Sequence, residues 1–240
     1  MGSVRGAGEP LPDGRPSAGV TADFETRGVD RLSLFSDAVI AIAITLLAIE
    51  LPVPSGDTVA TLWASVRHED GHYVAFLISF AVIAASWSDH HDLFRCLTRV
   101  DARLRTLNSV WLMMIVLNPF ATRLLTARGH PTTGAHALRF GLYALLQLLE
   151  AALLLAMLRH MRSRRQAPDM PPAVTLKITY ESCLFMAGFG LSIPLLFATP
   201  YAWALWIVLP LLMRWLHRLH PHLRRRFVRF VRPGRAPGGT

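Results

Sequence analysis

Residues 31–54 read RLSLFSDAVIAIAITLLAIELPVP. From residue 32 to residue 51 the run is apolar and close to the roughly 20 residues that carry an α-helix across a bilayer. It lacks the alternation of a barrel strand, so it is read as a membrane-spanning helix. Its head is polar: Arg31, Ser36 and Asp37 stand where the apolar run begins. A helix facing lipid gains nothing from those residues, so they pose the functional question.

Five more segments share this character, at residues 73–94, 104–125, 137–158, 176–197 and 201–217. The 240-residue chain is 52% hydrophobic and only 17% charged, too little charge for a soluble domain of its length. The expected fold is an all-α integral membrane protein with six transmembrane helices per subunit. Loop arginines set its orientation. Arg95, Arg99, Arg103 and Arg105 follow the second span, and Arg159, Arg162, Arg164 and Arg165 the fourth. Arg218, Arg224, Arg225, Arg226 and Arg229 follow the sixth. In the alternate connections Arg67 is offset by Asp57, Glu69 and Asp70, and Arg123 and Arg128 lie between the third and fourth spans. Both the N and C termini are therefore expected in the cytoplasm. Residues 1–28, rich in Gly, Pro and charge, are expected to be a disordered cytoplasmic leader. Residues 29–219 then form the six-helix domain and residues 220–240 a basic cytoplasmic tail. No internal repeat is evident, so one unit cannot easily surround a central pore alone.

The net charge of +9 fits a nucleic acid, a membrane surface or an unequal loop distribution. The arginines sit between and after apolar blocks, so the bilayer is the expected partner and nucleic acid is not. Cys96 and Cys183 show no pairing pattern and read as inert thiols. No metal site, cofactor or catalytic spacing is found, and no enzyme reading has support.

Topology brings several polar residues to one depth. The first span starts at the cytoplasmic side, and the second returns there with SWSDHHDLF at residues 86–94. The third leaves again through RTLNSVW, which places Asn108 near the same level. Arg31, Ser36, Asp37, His90, His91 and Asn108 thus share a layer. An ionisable group within a span is costly and calls for partners, which this layer offers. A snorkelling Arg and a solvated Asp at the interface are the plain alternative. His90 and His91 are adjacent and point about 100° apart, a poor arrangement for chelation. Hydrogen bonding or proton sensing suits them better than metal ligation.

Further along the first span, Ile42, Thr45, Leu46 and Ile49 fall on one arc of about 100°. A lipid-facing or helix-packing stripe explains it, and Ala38, Ala41, Ala43 and Ala48 leave room for close helix contact. A pore lining also explains it, since hydrophobic rings constrict and dewet a channel. Glu50 would then stand at the external mouth, where a ring of carboxylates attracts cations. Among weaker features, Pro119, Pro194 and Pro210 are placed to kink spans, and Lys177 and Glu181 are spaced to pair on one helix. Trp63, Trp203 and Trp215 suit interface anchors.

The first-span pattern Arg31-x-x-x-Phe35-Ser36-Asp37, followed by AIAITLL, resembles the signature of the transmembrane protein 175 potassium-channel family in its prokaryotic branch. WSDHHDLF is similar to the family's Trp-x-x-His-His-x-x-Phe segment. LNPFATRLL, residues 117–125, resembles its third-helix region, with Arg123 after Ala-Thr and Asn118 where an apolar residue is usual. The match is strong over the first half of the chain. The resemblance implies homotetramers whose first helices line a pore with no carbonyl filter. Carried over, Ile42 resembles the aliphatic constriction, and Thr45 and Ile49 the next layers outward. Arg31, Phe35, Ser36 and Asp37, with a span-two histidine, resemble an intracellular interhelical network. The implied function is a potassium-permeable leak channel of a bacterial inner membrane, with K⁺ and other monovalent cations as permeant ligands. The alternative is a proton-conducting or proton-coupled transporter that uses Asp37, His90 and His91.

Overall fold

A bundle of long helices needs directions as well as boundaries, and the side-chain bonds between helices supply both. The computed structural model describes residues 18–127, 133–199 and 201–208, with side chains from residue 27 onward. Its helices are α1 (Ala18–Ile49), α2 (Val59–His68), α3 (Asp70–Phe94), α4 (Ala102–Leu125), α5 (Thr133–Ser163) and α6 (Pro172–Leu195), followed by a 3-10 turn at Ala202–Ala204. Ser36 midway along α1 meets Asn108 near the start of α4, and Glu50 just past the end of α1 meets Arg123 near the end of α4, so these two helices run the same way. The end of α3 meets the start of α4 through His90 and Asn108, and α5 returns to Asp101 through His160; both run opposite to α4. Lys177 at the start of α6 reaches Asp92 at the end of α3, which sets α6 antiparallel to α3.

Among the described residues four helices are long and apolar enough to cross a membrane: residues 27–49 of α1, then α3, α5 and α6. Helix α4 is as long as α6, but Arg103, Arg105, Asn108, Asn118 and Arg123 dilute its hydropathy. It packs chiefly against α5, and also against α1 and α3. Of the sixth expected span only residues 201–208 are described, and Pro210 and Trp215 lie outside the described residues, as does the tail at 220–240. Residues 1–17 of the expected leader also lie outside them, but α1 already runs from Ala18, so the expected boundary at residue 28 falls within a helix. The short α2 replaces what reads as a loop. Thr58 and Thr61 close a capping box at its start, and Leu62 and Val66 fall one turn apart. Gly56 takes a φ of +143° just before it, where a Cβ would collide with Thr61.

Each helix buries a stripe. On α1 the stripe is Val29, Ser36, Ile40, Ala43 and Leu47, at spacings of three, four and seven. Ala43 lets the neighbouring helix approach closely. Towards the basic loops the core gathers Ile83, Leu93, Leu104, Trp111, Ile115, Met157 and Ile178. Towards the far end it becomes aromatic. Trp206 lies 4.8 Å from Phe140, 5.0 Å from Tyr143 and 5.0 Å from Phe189, and its indole donates to Ser192 Oγ at 2.8 Å. Pro119 and Pro194 both lie inside helices.

The two arginine-rich connections lie side by side. Thr98 donates its N–H and its hydroxyl to the Gln166 carbonyl, each at 2.8 Å, and Arg99 donates to the Arg164 carbonyl at 2.8 Å. Arg165 turns the chain in a left-handed conformation, φ 51°. Cys96 sits half-buried beside this junction, and burial raises its thiol above the ordinary value of 9.0, which disfavours the reactive thiolate. Asp101 caps α4: it accepts from the Leu104 N–H at 2.7 Å and from His160 Nε2 at 2.8 Å. Desolvation would raise its pKa, but the bonds from Leu104, His160 and Gln166 outweigh that and hold the carboxyl below 3.8. A lowered folded value stabilises the protein above the unfolded carboxyl's pKa, and the benefit disappears as pH falls through the folded value. Asp101→Ala should therefore cost about 1 kcal/mol at neutral pH. In melts of the detergent-solubilised protein, its deficit against wild type should close as pH drops below 3.8.

Candidate functional site

The middle of α1 is anchored at Ser36 by one directed line of hydrogen bonds. Ser36 donates its hydroxyl to the Leu32 carbonyl at 2.8 Å, which leaves Oγ as an acceptor. Asn108 of α4 donates to that oxygen from Nδ2 at 2.9 Å. Asn108 Oδ1 in turn meets His90 Nε2 of α3 at 2.8 Å. A carbonyl oxygen only accepts, so His90 carries its hydrogen on Nε2. Its ring is clamped between Phe94, 4.0 Å between centroids, and Trp111, 4.5 Å. Ser36, His90 and Asn108 are all buried. Three helices are thereby fixed in register.

The other expected members stand elsewhere. Asp37 lies about 100° around the helix from Ser36. It accepts from Trp87 Nε1 at 2.9 Å, whereas the expected partners were a histidine, Asn108 or Arg31 of the layer. Arg31 is exposed. His91 rests against Trp87, with centroids 5.6 Å apart. Phe35 is 58% exposed, and its seven-residue spacing to Ile42 aligns it with the apolar stripe, away from the buried line. Lys177 reaches Asp92 at 2.7 Å and Asp89 at 3.2 Å; the expected pairing with Glu181 on its own helix gives way to these acids of α3.

The stripe is bare. Ile42 is 59% and Ile49 75% exposed, against 1% for Ile40 and 2% for Leu47 on the packed face. Thr45 and Leu46 are exposed as well. Among the described residues no other helix covers this face. Thr45 donates its hydroxyl to the Ile42 carbonyl at 2.8 Å, which leaves its oxygen lone pairs facing outward. At the end of α1, Glu50 pairs with Arg123 of α4 at 3.1 Å, so the expected mouth carboxylate has a cation beside it.

Sequence reasoning missed a second buried set. Ser79 of α3, Asn118 and Thr122 of α4, and Tyr143, Gln147 and Glu150 of α5 are hydrogen-bonded together. The available signal was an acidic residue amid LLQLLEAALLLAM, since an ionisable group inside a span is a candidate site by default. Trp87 lay within the quoted second-span motif but carried no role.

Residues 31–119 match the family described as "Endosomal/lysosomal potassium channel TMEM175". A potassium channel of Streptomyces collinus is 40% identical over 95 residues, which is 40% of this chain and 46% of that protein. The bovine "Endosomal/lysosomal proton channel TMEM175" is 31% identical over 100 residues, 38% of this chain and 21% of that one. The chain spans about half the length of the bacterial curated relatives it matches. The crystal structure of a lysosomal potassium-selective channel TMEM175 homolog from Chamaesiphon minutus superposes with a TM-score of 0.61 at 31% identity, covering 77% of this chain and 97% of that one.

Because Asn108 serves both Ser36 and His90, Asn108→Leu strands the buried His90 Nε2–H and removes the second bond of the Ser36 hydroxyl. A stranded buried donor costs about 1–3 kcal/mol. The variant should melt well below wild type, and Ser36→Ala in the same background should recover part of the loss. A double-mutant cycle of melting temperatures measures that coupling.

Proposed function

The chain belongs to the TMEM175 family, and from that premise we propose a potassium-permeable leak channel of a bacterial inner membrane. Both termini face the cytoplasm, six helices span the bilayer, and four copies assemble so that their α1 helices line one pore. The bare face of α1 carries this reading. An apolar face beside buried polar anchors is what a helix needs if it is held from behind and faces a shared axis. Ile42 forms the narrowest ring, Thr45 and Ile49 the layers outward, and Leu46 flanks them. A continuous helix spends its carbonyls on its own hydrogen bonds, so it offers no carbonyl cage. Selection of K⁺ over Na⁺ then comes from constriction and partial dehydration and is modest. The Ser36–Asn108–His90 line positions α1 and does not touch the ion.

The name of the bovine relative favours a second reading, proton conduction through the polar layer. It requires pH-driven flux that is lost with Asp37 or His90 and is indifferent to the stripe. Against it, Asp37 and His90 belong to separate hydrogen-bonded sets, and the His90 line ends on a backbone carbonyl.

In liposomes, Ile42→Ala should raise K⁺ flux several-fold and lower the preference for K⁺ over Na⁺; unchanged flux in a verified tetramer sinks the constriction. Arg123→Gln frees Glu50 at the mouth. It should raise cation flux at low ionic strength and lose that gain as salt screens the carboxylates. A single-channel current series in KCl reads this out.

A further inference from the structure

Glu150 lies on α5 at 2% exposure, deep among α3, α4 and α5 and away from the bare face of α1. Its Oε2 accepts from Asn118 Nδ2 at 3.2 Å, and Ser86 of α3 lies beside it. Its Oε1 is buried and makes no hydrogen bond to a described residue. Among the described residues no cation pairs with this carboxyl, so its ionised form carries an uncompensated charge, and its protonated form has the Ser86 hydroxyl as the partner at hand. An uncompensated charge is costly in a dry core.

The surrounding groups are already committed. Asn118 Oδ1 accepts from Gln147 Nε2 at 2.9 Å. Thr122 donates to the Asn118 carbonyl at 2.9 Å, so Ser79 must donate to Thr122 and Tyr143 to Ser79. The hydroxyl set is therefore a one-way line with its head at Tyr143. Two cavities at the end opposite the basic loops reach this line, one at Tyr143 and Ser79 and one at Thr122. One, of about 600 Å³, is walled by Ser79, Tyr143, His72, His136 and Trp206. The other, of about 200 Å³, lies between α1, α3 and α4 and reaches Thr122 beside Glu50 and Arg123. Glu150 sits two turns of α5 below Tyr143, roughly 10 Å.

We propose that Glu150 is a proton-exchange site inside each subunit, loaded and unloaded from the far end past the Ser79, Thr122 and Tyr143 hydroxyls, and separate from the central pore. Solvent admitted past the hydroxyls carries the proton; the amides of Asn118 and Gln147 only orient the carboxyl. The groups acting on Glu150 from α3 and α4 are the neutral Ser86 and Asn118, and its titratable neighbour is Tyr143 on its own helix. Helix α6 directs Lys177 and Glu181 to the acids at the end of α3. One stretch of α4 connects the site to the pore helix. Asn118 bonds Glu150, Pro119 removes a helix hydrogen bond beside it, and Arg123 holds Glu50 at the end of α1. Gain or loss of the proton changes the bond on Asn118 and, through that turn, the set of the pore helix.

The assignment rests on the channel reading for its flux readout, so a spectroscopic arm stands beside it. K⁺ flux of the reconstituted protein is measured across a pH series for wild type and Glu150→Gln, which keeps the shape and cannot titrate. Wild-type flux should change several-fold and the variant should be flat, with the K⁺ over Na⁺ preference unaltered. A flat wild type, or superimposable profiles, overturns the proposal. Infrared spectra of the wild type should also show a deuterium-sensitive carboxyl C=O band that responds to pH and moves in Glu150→Asp. A missing band, or one indifferent to that change, overturns the site even where Glu150→Gln fails to assemble. The band with no flux supports the site and overturns the channel reading.

Discussion

Asn108 decides where α1 sits. Its planar amide gives a hydrogen to Ser36 and takes one from His90, and both partners are buried. In a bilayer no hydrophobic force selects one helix face over another, because lipid tails are as apolar as leucine. Polar bonds of fixed geometry must therefore select the face. Sliding α1 by a turn, or rotating it by one residue, breaks the bond to Ser36 and leaves a buried amide unmet at about 1–3 kcal/mol. The aliphatic core on the same side, Ile40, Ala43 and Leu47, would tolerate several registers; the amide accepts one. Fixing Ser36 inward also fixes what faces outward, since Ile42 and Ile49 fall some 120–140° around the helix.

The same logic explains why the least apolar of the long helices packs against three others, α1, α3 and α5. Helix α4 carries a polar residue wherever it must specify a neighbour. Asp101 meets His160 of α5, Asn108 meets α1 and α3, Asn118 meets Gln147 and Glu150 of α5, Thr122 meets Ser79 of α3, and Arg123 meets Glu50 of α1. Lipid-facing positions on α1 and α3 can be apolar without consequence for register. A central helix that was equally apolar would pack, but it would not choose.

Bilayer thickness made the long helices legible. A crossing needs a long apolar run, and the runs at residues 73–94 and 104–125 end with α3 and α4. The Ser36, His90 and Asn108 line was legible because topology alone brings those residues to one depth. Facing was not legible. Phe35 and Asp37 sit beside Ser36 in the sequence, yet one joins the bare stripe and the other turns to Trp87. The local pairing of Lys177 with Glu181 was visible in the spacing, but Asp92 and Asp89 arrive from another helix and win the lysine. The short α2 escaped because its apolar positions are interrupted by polar ones and its length falls far below a crossing. The Glu150 set escaped because its six members are scattered over three helices, and a single acid in an apolar run does not reveal its company.

The placement of charge bears on what the proposed pore can do. A carboxylate on a constricting ring holds a cation and its water by field strength, and it competes with passage. Here Asp37 and Glu50, the acids beside and just beyond the stripe, are both drawn away from it, Asp37 by the Trp87 indole and Glu50 by Arg123. The surface left bare is aliphatic, with the Thr45 oxygen as its polar interruption. Such a surface resists a hydrated ion by cost alone, and that cost rises with the hydration energy of the ion. The larger, less strongly hydrated K⁺ pays less than Na⁺. In the proposed pore the polar groups would shape permeation indirectly, by holding α1 so that its aliphatic face meets the ion.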